Sequence, residues 1–218
     1  MPKRKPVADS VVDATLKHLP PVVADMVQIQ RVTAMRPGEV FSMTWDKIDQ
    51  TDDVWIYYTS HKAEHHGIIR PVPLPKSCQV ILEKYRDTHT NGLIFSPRRT
   101  LIERAEMRSA NRKTKITPSQ LERMKKQLRA YQYANESYNR YSNRTAIQRA
   151  AQKAGVEKWC PYQLRHTGAT TVAHSLSKED ARLLLGHTSL VTTEIYVAEN
   201  IEKLKEIARK MDNQKSGH

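Results

Sequence analysis

Within five residues the chain sets a phenol, a guanidinium and an imidazole, at Tyr162, Arg165 and His166; a Gly186-His187 pair and a second phenol, Tyr196, follow. A guanidinium can hold two oxygens of a phosphate at once, an imidazole exchanges protons near neutrality, and a deprotonated phenol is a nucleophile. Such a set could attack and stabilise a phosphate ester. The i, i+3, i+4 spacing places Tyr162, Arg165 and His166 on one helix face, and Pro161 suits the first position of that helix. From Ser177 to Leu185, the residues Ala181, Leu184 and Leu185 fall at helical spacing, with Glu179 and Asp180 near the start. Gly186 lies where this helix would close in a left-handed cap. Thr188 or Ser189 can then start a helix carrying Leu190, Ile195, Tyr196 and Val197. On pattern alone, a plain helical hairpin with Tyr196 packed as core filler is the commoner outcome, because aromatic residues at helical spacing usually pack.

Composition narrows the partners. The chain has 218 residues, enough for one large domain or two small ones, and 39% of them are hydrophobic. Lysine and arginine number 36 against 23 acids, a formal charge of +13, with a sequence pI near 9.8. That excess favours a polyanion, most simply nucleic acid. Cys78 and Cys160 are far apart and form no CxxC pair, which suits a reducing compartment and argues against a disulfide scaffold or a thiolate zinc site. Lys3, Arg4 and Lys5 have no apolar run behind them, so no signal peptide is expected. No segment is apolar enough over sufficient length to span a bilayer, so no membrane partner is expected.

The elements that must position these groups read as follows. Residues 1–10 form a basic tail. Helical pattern covers Val11 to Leu19, is broken by Pro20-Pro21, and resumes over Val22 to Met35 with Val23, Met26, Val27 and Ile29 in a stripe. Arg36-Pro37-Gly38-Glu39 reads as a turn, and Val40 to Trp45 as a short helical piece. Val54 to Tyr58 is β-rich. His66-Gly67 is a plausible turn and Ile68 to Leu74 a second strand, which Pro71 and Pro73 confine to an edge. Ser77 to Tyr85 is an amphipathic helix and Leu93-Ile94-Phe95 a short buried piece. From Arg98 to about Arg140 basic residues are dense and large aliphatics sparse. This stretch reads as a surface insertion, partly helical from Thr117-Pro118-Ser119, with Leu121, Met124 and Leu128 as a thin apolar face. Tyr131, Tyr133, Tyr138 and Tyr141 alternate there with polar residues. Ala146 to Ala154 returns to helix, Ile201, Leu204, Ile207 and Ala208 mark a last amphipathic helix, and 211–218 reads as a polar tail.

With these residues in view, the chain resembles the catalytic domain of tyrosine recombinases of the phage-integrase family. TAMRPGEVFSMTWDKID (33–49) looks like that family's first box and places Arg36 and Glu39. The hairpin holding Lys62 and ending in RPVPLP looks like the turn that carries the family's catalytic lysine. PYQLRHTGAT (161–170) looks like the second box and supplies Arg165. LLGHTSLVTTEIYV (184–197) supplies the later histidine, His187, and the nucleophile, Tyr196. The match spans roughly residues 11 to 210, with the stretch at about 98–140 as an insertion. It implies a mainly α fold with a small antiparallel β-sheet at one edge, and a catalytic domain over 11–210. It further implies cleavage and rejoining of double-stranded DNA through a 3′-phosphotyrosine, without metal, ATP or other cofactor. The working unit would be a tetramer on DNA, with the helix after Tyr196 exchanged between neighbours, and the protein, bacterial or phage-derived, would be cytoplasmic and associated with the nucleoid. The first box arrives at Arg36, leaving no room for the N-terminal DNA-clamping domain such recombinases usually carry. A catalytic fragment or a short member of the family is therefore expected.

The resemblance assigns Arg36 and Arg165 to the phosphate oxygens, Lys62 to general acid, and His187 or Tyr162 to assistance at the nucleophile. Tyr162 stands where the second box usually begins with histidine. A phenol, with a reference pKa of about 10, stays neutral at pH 7, whereas an imidazole at about 6.5 passes protons more readily. Two neighbouring readings therefore stay open: a recombinase-like DNA-binding protein with weak or no catalysis, and a type IB topoisomerase-like relaxing enzyme. Singly, Arg36 would be an ion-pair partner for Glu39, Lys62 a solvated loop lysine and His187 a helix-end histidine. Their joint order on so basic a chain carries the functional reading. His61, His65 and His66 lack H-E-x-x-H spacing and a fourth ligand, so no metal site is expected.

Overall fold

The computed structural model describes residues 5–59, 70–86, 92–131, 137–186 and 194–216; for residues 104, 127–131, 194–200, 202 and 214–216 the description is of the backbone alone. Ten helices and three short strands are described. They are α1 (Asp9–Leu16), α2 (Pro21–Thr33), α3 (Pro37–Phe41), a 3-10 turn at Trp45–Lys47, β1 (Ile48–Asp49), β2 (Trp55–Thr59), β3 (Arg70–Leu74), α4 (Lys76–Glu83), α5 (Pro97–Ala110), α6 (Pro118–Tyr131), α7 (Arg140–Lys153), α8 (Pro161–Ser175), α9 (Lys178–Leu184) and α10 (Glu194–Ser216). The mainly helical fold with one small antiparallel sheet matches the expectation.

Helix α2 is the axis of the core. Val22, Val23, Met26, Val27 and Ile29 are all buried, and α4, α5, α8 and α10 pack around it. The sheet runs β1-β2-β3, with Ile48 opposite Tyr57 and Tyr57 opposite Val72. β3 lies at an edge, where Pro71 and Pro73 cost no ladder hydrogen bonds. A second, smaller apolar cluster joins Val172 of α8, Ala181 and Leu184 of α9, and Leu204, Ile207 and Met211 of α10.

Four local expectations need correcting. Arg36-Pro37-Gly38-Glu39 is not a free turn but the start of α3, because proline fits the first helical position and the Glu39 carboxylate accepts from the Arg36 backbone N–H at 2.6 Å. The N-terminal tail is shorter than ten residues: α1 begins at Asp9 and Val7 is buried in the core. The expected polar tail from 211 is still helix, since α10 continues to Ser216 and buries Met211. Tyr138, read as a surface tyrosine of the insertion, is buried against Phe41, with ring centroids 6.3 Å apart, and its hydroxyl bonds Thr100.

Candidate active site

The site begins where α2 ends. Ala34 caps α2 in the left-handed region at φ 51, the one non-glycine residue with positive φ among those described. An L-residue there costs roughly 1–2 kcal/mol. The conformation turns the chain sharply into α3 and leaves the Ala34 carbonyl facing α8, where it accepts from Arg165 Nη1 at 3.0 Å. Gly168, one turn along α8, makes the approach possible: a Cβ at that position would lie 2.7 Å from the Ala34 Cβ. Gln30 Nε2 donates to the carbonyls of Met35 and Pro161, each at 3.1 Å, and ties the turn to the first residue of α8.

Three guanidiniums converge on this corner around one carboxylate. Arg36 Nη1 donates to Glu39 Oε1 at 2.8 Å, and Arg70 Nη1 to Glu39 Oε2 at 2.7 Å. Arg70 Nη2 donates to the Leu184 carbonyl at 2.6 Å, and Arg165 Nη2 to the Leu185 carbonyl at 2.6 Å. The last turn of α9 is thus held by both arginines. Side chains of Arg70, Arg165 and Glu39 are buried, at 7%, 4% and 4% exposure, while Arg36 keeps 27%. The ion pair of Arg36 with Glu39 does form, as part of this buried network rather than on the surface.

The electrostatics follow from three cations sharing one anion. Burial pushes Arg165 down to about 10, and Arg70 and Arg36 push in the same direction, against Glu39 and Tyr162. Arg70 is also lowered, by burial first, with Glu39 opposing. Burial alone would raise the Glu39 carboxyl, but Arg70 and the hydrogen bonds from Arg36 outweigh it and hold the group below its ordinary value. A largely desolvated cluster with two more cations than anions is preorganised for an incoming oxyanion.

Arg36, Arg165 and Tyr162 therefore share one neighbourhood. Tyr162 lies one helical turn before Arg165, half-buried, with its ring edge to face against His166 at 5.6 Å between centroids. Tyr196 sits in the first turn of α10, where only the backbone is described. Lys62, the expected turn at His66-Gly67, and His61 and His65 lie in 60–69, and His187 in 187–193; these fall outside the described residues. Among the described residues no group of three or more His, Cys, Asp or Glu could hold a metal ion, and no helix is long and apolar enough to cross a membrane.

Sequence reasoning did not single out Arg70. The signal was present: Arg70 alternates with Val72 and Leu74, so it shares their buried strand face, where an arginine needs internal partners. Gly186, with φ +64, forms the left-handed close of α9 as expected. It has a second role, since a Cβ there would lie 2.5 Å from Arg70 Cδ.

Comparison with known proteins adds the following. Residues 8–203 match the family model described as the phage integrase family. The tyrosine recombinase XerC of Bifidobacterium longum subsp. infantis is 40% identical over 63 residues, covering 28% of this chain and 18% of the relative. Among solved structures, the XerH site-specific recombinase bound to its difH substrate in a pre-cleavage complex superposes with a TM-score of 0.57 at 15% identity, over 89% of this chain and 50% of that one. The lambda integrase catalytic core does so with a TM-score of 0.55 at 15% identity, over 88% of this chain and 96% of that one. At such identities the structural likeness is one of fold. The chain spans half of the XerH chain, and the aligned segment under a fifth of the curated XerC relative.

Proposed function

Because the chain belongs to the phage integrase family, we propose that it is a site-specific DNA strand transferase in which Tyr196 cuts and rejoins double-stranded DNA. The Tyr196 phenolate oxygen attacks the scissile phosphorus and the P–O5′ bond breaks. The strand end becomes a 3′-phosphotyrosine and the 5′-hydroxyl departs. The leaving oxygen needs a proton, which Lys62 supplies as general acid; the Tyr196 proton passes to His187 or to the phosphate with help from Tyr162. The new diester keeps the bond energy, so rejoining runs the same steps backwards without ATP. Arg36 and Arg165 bind the non-bridging oxygens, where charge accumulates in the five-coordinate transition state, and take the place of a metal ion.

The observation that carries this reading is the cluster of Arg36, Arg70 and Arg165 around the single carboxylate of Glu39. Among the described residues that corner gathers three guanidiniums and one carboxylate, an excess of positive charge that suits an anionic ligand. XerH is named in a structure as bound to its difH substrate, and a lambda integrase as a tetramer bound to a Holliday junction. We extend DNA binding and assembly as a tetramer to this chain. Exchange of α10 between neighbours then requires release of Leu204, Ile207 and Met211 from their own protomer, together with the Arg209–Asp53 ion pair at 2.6 Å.

The test is a nicked suicide duplex carrying the attachment site at which the protein acts. The native protein should form a covalent protein–DNA adduct, and Tyr196→Phe should form none. Adducts at native yield from Tyr196→Phe overturn the assignment; plasmid relaxation without any attachment site would favour the topoisomerase-like reading.

A further inference from the structure

The positive charge of this chain is not spread evenly. Residues 97–131, the hairpin of α5 and α6, hold eleven lysines and arginines against three glutamates, a net of +8; the other 183 residues hold a net of +5. The hairpin is anchored rather than a loose basic run. At its base Thr100 is buried and bonded to Tyr138, and the Arg99 guanidinium lies 4.4 Å over the Tyr85 ring and pairs with Glu103 at 2.8 Å. Its far turn is tied by Arg112, which donates from Nε to the Thr114 carbonyl at 3.0 Å and also bonds Gln120, whose side chain accepts from Thr117 N–H at 3.1 Å. Along the two helices and in the turn, Arg108, Lys113, Lys115, Arg123, Lys125 and Lys126 are exposed. Arg108 shares a groove with Arg149 and Lys153 of α7, so the cationic surface continues onto the body.

A solvated face needs polarity, not an excess of one sign, and so large an excess on a hairpin poor in apolar contacts repels itself. We infer that the α5–α6 hairpin is a second DNA-contact surface, which lies along the duplex beside the cleaved segment and holds its phosphodiester backbone without reading sequence. The inference rests on the DNA strand-transfer reading above. Each helix has 14 residues, so the arm is about 21 Å long and can follow roughly six base pairs. None of its residues belongs to the arginine cluster, so it adds affinity and site length, not chemistry.

The test compares the native protein with a Lys113→Gln, Lys115→Gln, Arg123→Gln, Lys126→Gln variant. Binding to duplexes of increasing length, of arbitrary sequence, is titrated by fluorescence anisotropy at several NaCl concentrations. For four lost phosphate contacts the slope of log K against log[NaCl] should flatten by about 3.6. The length at which affinity levels off should shorten by roughly six base pairs. A change in slope of under about one, with an unchanged plateau length, overturns the inference. So does a variant that keeps its DNA slope but loses self-association in sedimentation, which would make the arm a protein-docking surface. The two readings fail separately. A native protein with the steep, arm-dependent slope but no covalent adduct loses the strand-transfer reading and keeps the arm; adducts with an arm-independent slope do the reverse.

Discussion

Replacing Arg70 with methionine should be the most damaging single change outside the residues proposed to touch DNA. The side chain is 7% exposed and bonds both the Glu39 carboxylate, itself 4% exposed, and the Leu184 carbonyl. Methionine fills much of the space but takes the Arg70 guanidinium away from Glu39 in a desolvated site, where the Arg36 contact remains. Breaking a buried pair from one side costs about 3–5 kcal/mol, and the remaining Arg36 contact puts the expectation at the lower end, about 3 kcal/mol. For a chain of this size that is roughly 6–12 °C in Tm. The sign of the pH dependence is fixed as well. In the native protein Glu39 is held below its ordinary value, so its contribution is present above the unfolded carboxylate pKa and is lost as pH falls through the folded one. In Arg70→Met the largest lowering influence is gone while burial remains, so Glu39 takes up its proton at higher pH. The stability gap between the two proteins should be full at neutral pH and narrow as pH falls into the carboxylate range. Denaturant melts from pH 7.5 downward read this directly, and Arg70→Met with Glu39→Gln should recover part of the loss. A gap under about 1 kcal/mol at pH 7.5, or one that does not move with pH, refutes the account of the cluster.

Other expectations follow from the same corner. Gly186→Ala combines a left-handed φ of +64 with a Cβ 2.6 Å from Arg70 Nε; it should destabilise by about 2 kcal/mol or more, and less than additively in an Arg70→Met background, measured by chemical denaturation. Gly168→Ala drives a Cβ to 2.7 Å from the Ala34 Cβ. It should cost about 1–3 kcal/mol and slow strand cleavage by shifting Arg165, with Ala34→Gly restoring both by removing the opposing methyl and the strained φ. Tyr162→His should raise the rate of adduct formation on a suicide duplex, by up to about tenfold, with a new dependence on pH near neutrality; an unchanged rate would remove position 162 from the proton path.

Much of this was legible from residue order. Pro161 and Gly186 mark the start of α8 and the close of α9 because each acts through its own backbone geometry, which needs no distant partner. Pro71 and Pro73 likewise placed β3 at an edge. What was not legible depends on contacts between residues far apart in sequence. Arg36 and Arg165 meet through a left-handed Ala34, and alanine carries no signal for that conformation; only Gly168, 134 positions away, gives its methyl room. Arg70 passed as an ordinary residue of the second strand because its carboxylate partner lies 31 positions upstream. Arg36-Pro37-Gly38-Glu39 has the composition of a turn, and becomes a helix start because the Glu39 side chain reaches back to the Arg36 N–H. In the insertion, the alternation of tyrosines hid their division of labour: Tyr138 anchors the hairpin in the core, while Tyr141 is 80% exposed.

The measurement that bears most directly on the whole account is the identity of the residue joined to DNA. A suicide duplex trapped with the native protein, digested and sequenced by tandem mass spectrometry, should yield a nucleotide-modified peptide with the adduct on Tyr196. An adduct on Tyr162 or any other tyrosine, or full cleavage with no covalent peptide at all, would contradict it.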